Sequence, residues 1–448
     1  MNMILLRAEI ELVGMLNRYS GSGMEDHSYT LRGSICYSKD KNHLEIVDKG
    51  YIVCVNGKSA GVYTKLPDCY LDLPYIDYRE AIIIPGLIDL HVHAPQFAFR
   101  GLGMDLELME WLHRNAFPEE ARYENLEYAR KAYTIFAEAF RKSATTRASM
   151  FATLHVKSTQ ILMDLMEATG IIALVGKVNM DRNSPDYLCE ESSTQSGADT
   201  RRWIKNTLGK YKNVKPILTP RFIPSCSDEL MREISVIQKE YKVPLQSHLS
   251  ENLKEIAFVK ELYPEISCYG KAYANAGLFG GECPTIMAHC VYSTDEEINL
   301  MKEMGVFVAH CPQSNMNLAS GIAPIRNYMD KELQVGLGSD IAGGFSESIF
   351  RAMSDAIQVS KLYWRYIDQS VKPLTMEEAF YLGTLGGGAF FGKVGSFEAG
   401  YEFDAVILDD SNLPHPQDLG TKQRLERLIY ISDDSNIISK YVSGNKVL

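Results

Sequence analysis

The chain is 448 residues long and 46% hydrophobic, enough for about three ordinary domains or for one large barrel with a smaller appendage. Its 46 Lys and Arg against 57 Asp and Glu leave a formal net charge of −11, which excludes nucleic acid as a partner; a nucleobase ligand would have to be free. Nine scattered cysteines with no C-x-x-C pair exclude a disulfide framework and a zinc–thiolate site, and read as the reduced thiols of a cytoplasmic protein. Met1 to Glu11 lacks a basic segment followed by a long apolar run, and no run of about 18 apolar residues occurs, so neither a leader nor membrane association is expected.

In chain order, residues 1–76 alternate as strands do. Tyr51-Ile52-Val53-Cys54-Val55 runs into Asn56-Gly57 and on to Gly61-Val62-Tyr63, a hairpin pattern because both turn residues tolerate positive φ. From residue 81 the pattern changes to short apolar runs separated by helical stretches: 81–88, 148–152, 171–178, 214–219, 243–246, 285–288, 306–309 and 333–337. Within 125–142, Leu126, Ala129, Tyr133, Phe136 and Phe140 recur at helical spacing. Ser293-x-x-Glu296 ahead of Ile298 has the form of a capping box. Eight such alternations are what a closed parallel barrel needs. After Gly395 strand-like text returns at 403–408 and 440–444. These features predict an α/β fold: a TIM-type (β/α)8 barrel over 77–394, with a small β-sandwich domain formed by both termini, residues 1–76 and 395–448.

The first barrel strand ends in Asp89-Leu90-His91-Val92-His93. Residues i and i+2 of a strand face the same side, so both imidazoles point together into the barrel mouth. A lone H-x-H is a weak signal, but catalytic groups in such barrels collect at the C-terminal strand ends. Three later strands end in further metal-competent groups: Ser247-His248-Leu249-Ser250-Glu251 on the fifth, Ala288-His289 on the sixth and Gly338-Ser339-Asp340 on the eighth.

This constellation resembles the amidohydrolase superfamily, through Pro85-Gly86-Leu87-Ile88-Asp89-Leu90-His91-Val92-His93, His248, His289, Asp340 and the segment 395–410. Within it the chain is similar to the guanine deaminases. That likeness rests on His93-Ala94-Pro95-Gln96, Glu110-Trp111-Leu112, Thr219-Pro220-Arg221-Phe222, Ser247 to Asn252, and Gly338-Ser339-Asp340-Ile341-Ala342-Gly343-Gly344. The blocks keep family order from about residue 83 to 410. Arg147, after Thr145-Thr146, departs from the pattern where a small residue is usual, as Pro95 and Ser339 also do.

The resemblance implies hydrolytic deamination of guanine to xanthine and ammonia in a homodimer. His91, His93, His248 and Asp340 would bind one divalent metal, zinc or else iron(II), lowering the pKa of its water toward about 7. Two-metal relatives need a modified lysine at the end of the fourth strand. Arg221-Phe222 stands there, while Lys215 is at the strand's other end and Lys177 on the third strand, so one metal is expected. Glu251 would carry protons to N3 and the departing amine, Asp340 would accept the water's proton and His289 would orient the attacking oxygen. Gln96, Arg221 and Phe222 would hold the purine, with Arg221 making most of the choice because Gln96 can turn its amide either way. An amidohydrolase acting on cytosine, an adenosine-type base or a chlorinated triazine is the alternative. A non-catalytic scaffold would be expected to lose ligands, and every one is kept.

The other features read blandly. His155 and His310 are expected to be structural or to support the site. His27, His43, His113 and His415 are expected to face solvent. Gly386-Gly387-Gly388 lacks the Lys-Ser/Thr of a phosphate loop and suits close helix packing. Trp111 could wall a pocket or pack in the core.

Overall fold

The computed structural model describes residues 28–448; Met1 to Glu11 and His27 lie outside them. Seven strands from the two ends of the chain form one sheet. They are β1 (Tyr29–Asp40), β2 (His43–Val55), β3 (Lys58–Tyr63), β4 (Tyr75–Pro85), β15 (Ala405–Leu408), β16 (Ile437–Val442) and β17 (Asn445–Lys446), in the order β17-β16-β15-β4-β1-β2-β3. Asn56 (φ 50°) and Gly57 (φ 78°) make the turn between the antiparallel β2 and β3, as their positive-φ tolerance predicts. The sheet curls toward itself: Phe403 N donates to Gly57 O at 2.9 Å, and Tyr29 Oη to Gly444 O at 2.8 Å. Leu31, Ile52, Ile83, Phe397, Phe403 and Ile407 form a separate apolar cluster inside the curl.

Between these ends run β5 (Leu87–His93), β6 (Thr145–Phe151), β7 (Ile172–Gly176), β8 (Val178–Asn179), β9 (Val214–Pro216), β10 (Thr219–Pro220), β11 (Leu245–Leu249), β12 (Thr285–His289), β13 (Phe307–His310) and β14 (Gln334–Leu337). Two parallel four-stranded arrays, β5-β6-β7-β9 and β11-β12-β13-β14, are the halves of the barrel, and β8 pairs with β10 beside them. One seam is closed by Leu218 N donating to Pro244 O and Gln246 N to Leu218 O, both at 2.9 Å. At the other seam Asp340 N donates to His91 O at 2.8 Å and His93 N to Ile341 O at 3.1 Å. Every residue of β5, β6, β11 and β12 is buried, because helices cover the outer face of a parallel barrel and side chains fill its interior. Gly387 serves close packing: a Cβ there would come within 3.2 Å of the Ile88 side chain on β5. Among the described residues no helix is long and apolar enough to cross a membrane, and none of the nine cysteines is joined in a disulfide.

Two local expectations are corrected. The run 81–88 is not one barrel strand: residues 82–85 pair with β15 in the terminal sheet, and only from Leu87 does the chain enter the barrel. Both parts are fully buried, so their hydrophobicity carries no mark of the switch. The helix Asp295–Met304 starts one residue later than the Ser293 spacing predicts, capped by Thr294, whose hydroxyl accepts from Glu297 N at 3.3 Å. The Glu297 carboxylate is turned inward, accepting from Ser250 Oγ and Gly270 N, each at 2.7 Å.

Arg147 ties the two sheets together. Its guanidinium forks onto Asp404 (Nε to Oδ2 2.6 Å, Nη2 to Oδ1 3.2 Å) and also reaches Ser443 Oγ at 3.2 Å. Both partners are buried, so removing one leaves an uncompensated charge. Arg147→Ala is expected to destabilise the fold by about 3–5 kcal/mol, read by urea denaturation. A loss below about 1 kcal/mol would show that the tie is not structural.

Candidate active site

The ends of β5, β11 and β12 and the loop after β14 converge. His91 and His93 share the inward side of β5, as their spacing predicts, with ring centroids 4.9 Å apart. His248 comes from β11: its Nε2 lies 3.1 Å from His93 Nε2, and its ring is 4.9 Å from that of His91. Asp340 Oδ1 lies 3.1 Å from His91 Nε2 and 3.5 Å from His93 Nε2. His289, at the end of β12, places Nε2 3.6 Å from Asp340 Oδ2 and 3.5 Å from Glu251 Oε2. Two overlapping buried sets, His91–His93–His248 and His91–His289–Asp340, each hold their ligand atoms within 4.8 Å of one another.

The backbone is bent to achieve this. Ser250 (φ 48°), His289 (φ 73°) and Asp340 (φ 45°) adopt left-handed conformations where their strands end, each costing on the order of 1–3 kcal/mol. Gly338 lets this loop close against β5: a Cβ there would lie 2.9 Å from both His91 Cβ and Cys311 Sγ. Asp89 does not join the ligands. Its carboxylate accepts from His91 N at 3.1 Å, Ser339 N at 3.0 Å and Ser339 Oγ at 2.5 Å, pinning β5 to the Asp340 loop, and burial pushes its pKa up to about 7.

The donor set fits a divalent cation. His248 Nδ1 lies 2.6 Å from Arg221 O, and because a carbonyl only accepts, that nitrogen carries the proton and Nε2 keeps its lone pair. His289 Nδ1 is held by Asn315 Oδ1 at 2.9 Å. Neither ring nitrogen of His91 makes a hydrogen bond, nor does Nδ1 of His93, although all three are buried. Burial, with the neighbouring His91, holds His93 and His248 well below the ordinary imidazole pKa, in the neutral form a metal requires. Burial also disfavours the charged form of His289, but the carboxylates of Glu251 and Asp340 outweigh it and raise its pKa.

A cavity opens on this cluster, walled by Leu108, Trp111, Leu112, Phe222 and Leu318 and carrying Gln96, Arg221, Glu251 and Glu255 as polar groups. Glu251 Oε1 accepts from Ser320 Oγ at 3.0 Å, and burial raises its pKa. Arg221 extends from just beyond β10, but its guanidinium is not free: Nη1 and Nη2 fork onto Glu120 at 2.5 and 3.0 Å. Gln96 Nε2 donates to the same carboxylate at 2.8 Å while its Oε1 accepts from Ala342 N at 2.9 Å, so the amide expected to turn either way is held at both ends.

All the residues singled out as ligands, proton carriers or purine contacts thus meet at one barrel mouth. His310 is buried with both nitrogens unpaired and its pKa pushed down to about 3 by burial; His155 lines a different cavity, and His43, His113 and His415 are exposed. Sequence reasoning missed Glu120, Ser320 and Glu255. Glu255 had a local signal, as the closing member of the Asn252 capping box, and its Oε2 accepts from Glu251 N at 3.1 Å. Glu120 and Ser320 had none, since each acts only through a residue distant in the chain.

A parallel barrel with imidazoles from three strands and a carboxylate after the eighth defines a hydrolase able to hold a metal ion at its mouth. The chain belongs to the amidohydrolase family, whose model matches residues 82–447. It is similar to the guanine deaminases of human (39% identity, 90% of this chain and 91% of that one) and Dictyostelium discoideum (39%, 83% and 84%). The crystal structure of guanine deaminase from C. acetobutylicum, with guanine bound in its active site, superposes with a TM-score of 0.91 at 48% identity, covering 94% of this chain and all 100% of that one.

Proposed function

We propose that the chain deaminates guanine, replacing the 2-amino group by oxygen with water to give xanthine and ammonia. The carrying observation is that His93, His248 and Asp340 of the buried ligand cluster, Glu251 and the Arg221–Gln96 pair all line one cavity. Relatives called guanine deaminases over more than four-fifths of the chain support the substrate. The family resemblance supports zinc, with iron(II) second, a homodimer, a cytoplasmic address and a place in purine breakdown.

His91, His93, His248 and Asp340 would hold a divalent cation, which when bound would acidify a water toward a pKa of about 7 and add an orienting charge. Asp340 accepts the proton lost as the oxygen adds to C2, and His289, held by Asn315, orients that oxygen. Glu251 donates a proton to N3 as C2 becomes tetrahedral and then carries one to the amine, which leaves as ammonia. Burial raises the Glu251 pKa, favouring the protonated form that donates. Phe222, with Trp111 and Leu112, encloses the ring and keeps bulk water out.

The test is an ultraviolet assay for xanthine with ammonia quantified in parallel, on guanine, adenine and cytosine. Guanine is expected to be preferred by on the order of 10⁴-fold in kcat/KM, as in sites built to hydrogen-bond one particular group. Arg221→Met should lower kcat/KM for guanine by about 10- to 100-fold with the metal retained. Comparable turnover of adenine, or an Arg221→Met protein indistinguishable from wild type, would overturn the substrate assignment.

A further inference from the structure

Glu120 is 1% exposed, on the short helix Phe117–Ala121, and both its contacts on the site are pocket residues. Its Oε1 accepts from Gln96 Nε2 and Arg221 Nη2, and its Oε2 from Arg221 Nη1. At the other end of the Gln96 amide, Ala342 N donates to Oε1. Turning the amide over would set its oxygen against the Glu120 carboxylate and its NH2 against the Ala342 N–H, two repulsive contacts in a buried setting. The amide therefore keeps one polarity, N–H on the Arg221 side and C=O on the Ala342 side.

We propose that Glu120, which is not among the residues lining the cavity, is the specificity-determining positioning residue of the site: it locks Gln96 and Arg221 into one donor–acceptor order. This rests on the guanine reading above. A 6-oxopurine offers an acceptor at C6 followed by a donor at N1–H, whereas a 6-aminopurine offers a donor followed by an acceptor. A glutamine free to turn over could serve either edge. Clamped beside an arginine it serves the 6-oxo edge alone. The class selected is 2-amino-6-oxopurines, and the class rejected is those carrying a 6-amino group.

The probe is 2,6-diaminopurine, which keeps the 2-amino leaving group of guanine and reverses the C6–N1 edge. Kinetics on both bases and metal content are compared for wild type, Glu120→Gln and Gln96→Met. Wild type should strongly prefer guanine. Glu120→Gln should bind metal normally, raise KM for guanine more than it lowers kcat, and shrink the guanine to diaminopurine ratio at least tenfold. A merely structural Glu120 would depress both substrates together, and an unchanged ratio in a Glu120→Gln protein overturns the proposal. If that variant does not fold, Gln96→Met decides, since it removes the amide while leaving the Arg221–Glu120 pair. A shrunken ratio supports the locked amide, and a wild-type ratio overturns it. Wild-type protein that forms no xanthine from guanine overturns the functional reading and this proposal with it, whereas xanthine formation with an unchanged ratio removes this proposal alone.

Discussion

His248→Ala is expected to release the bound metal and abolish guanine turnover, while His289→Ala keeps the metal and loses turnover. The two residues sit symmetrically about His91, with ring centroids 4.9 and 5.5 Å from it, and belong to the two overlapping ligand sets. What separates them is their surroundings. His248 faces His93 nitrogen to nitrogen at 3.1 Å, a contact that only a shared cation relieves once both Nε2 atoms carry lone pairs. His289 instead faces the carboxylates of Glu251 and Asp340, the arrangement of a ring that hydrogen-bonds the reacting oxygen. Loss of even an outer partner of a ligand weakens metal binding by about 10–100-fold, so loss of His248 should exceed about 100-fold. Elemental analysis beside the xanthine assay checks both variants. Full metal and wild-type turnover in His248→Ala would remove it from the ligand set, and metal loss in His289→Ala would put that residue in.

Glu251→Gln is expected to keep metal, fold and guanine affinity while kcat falls by at least about 100-fold, the range for a positioned acid–base group. Glutamine preserves the bond from Ser320, which needs only an accepting oxygen, and fills the same volume. It can neither donate the proton that N3 takes up nor carry one to the departing amine. Single-turnover kinetics separate this from a binding defect. A variant that binds guanine weakly but turns it over normally would make Glu251 a substrate anchor, and one that loses metal would make it a ligand.

The ligand positions were legible because each lies within five residues of the end of an apolar run, and strand ends are where barrel chemistry sits. The helix from Leu126 and the Asn56-Gly57 turn were legible for a comparable reason: period and turn chemistry are local properties. The switch at Gly86 was not, because residues on either side are buried in different sheets and hydrophobicity does not say which sheet buries them. Nor was the cap, because Ser293-x-x-Glu296 and Thr294-x-x-Glu297 have the same form; Thr294 takes it, and the Glu297 carboxylate accepts from Ser250 and Gly270.

The sequence by itself determined the barrel and the residue types at its mouth, because these depend on periodicity and spacing, and its motifs carried the family resemblance. Tertiary structure decided what those residues are free to do. Arg147 reads as an anomaly until Asp404 arrives opposite it from 257 positions away. Arg221 and Gln96 read as independent purine contacts until Glu120, 101 and 24 positions from them, binds both and fixes their polarity. A buried carboxylate acts through whichever donors the fold brings within 3 Å of it, and chain separation carries no record of that distance.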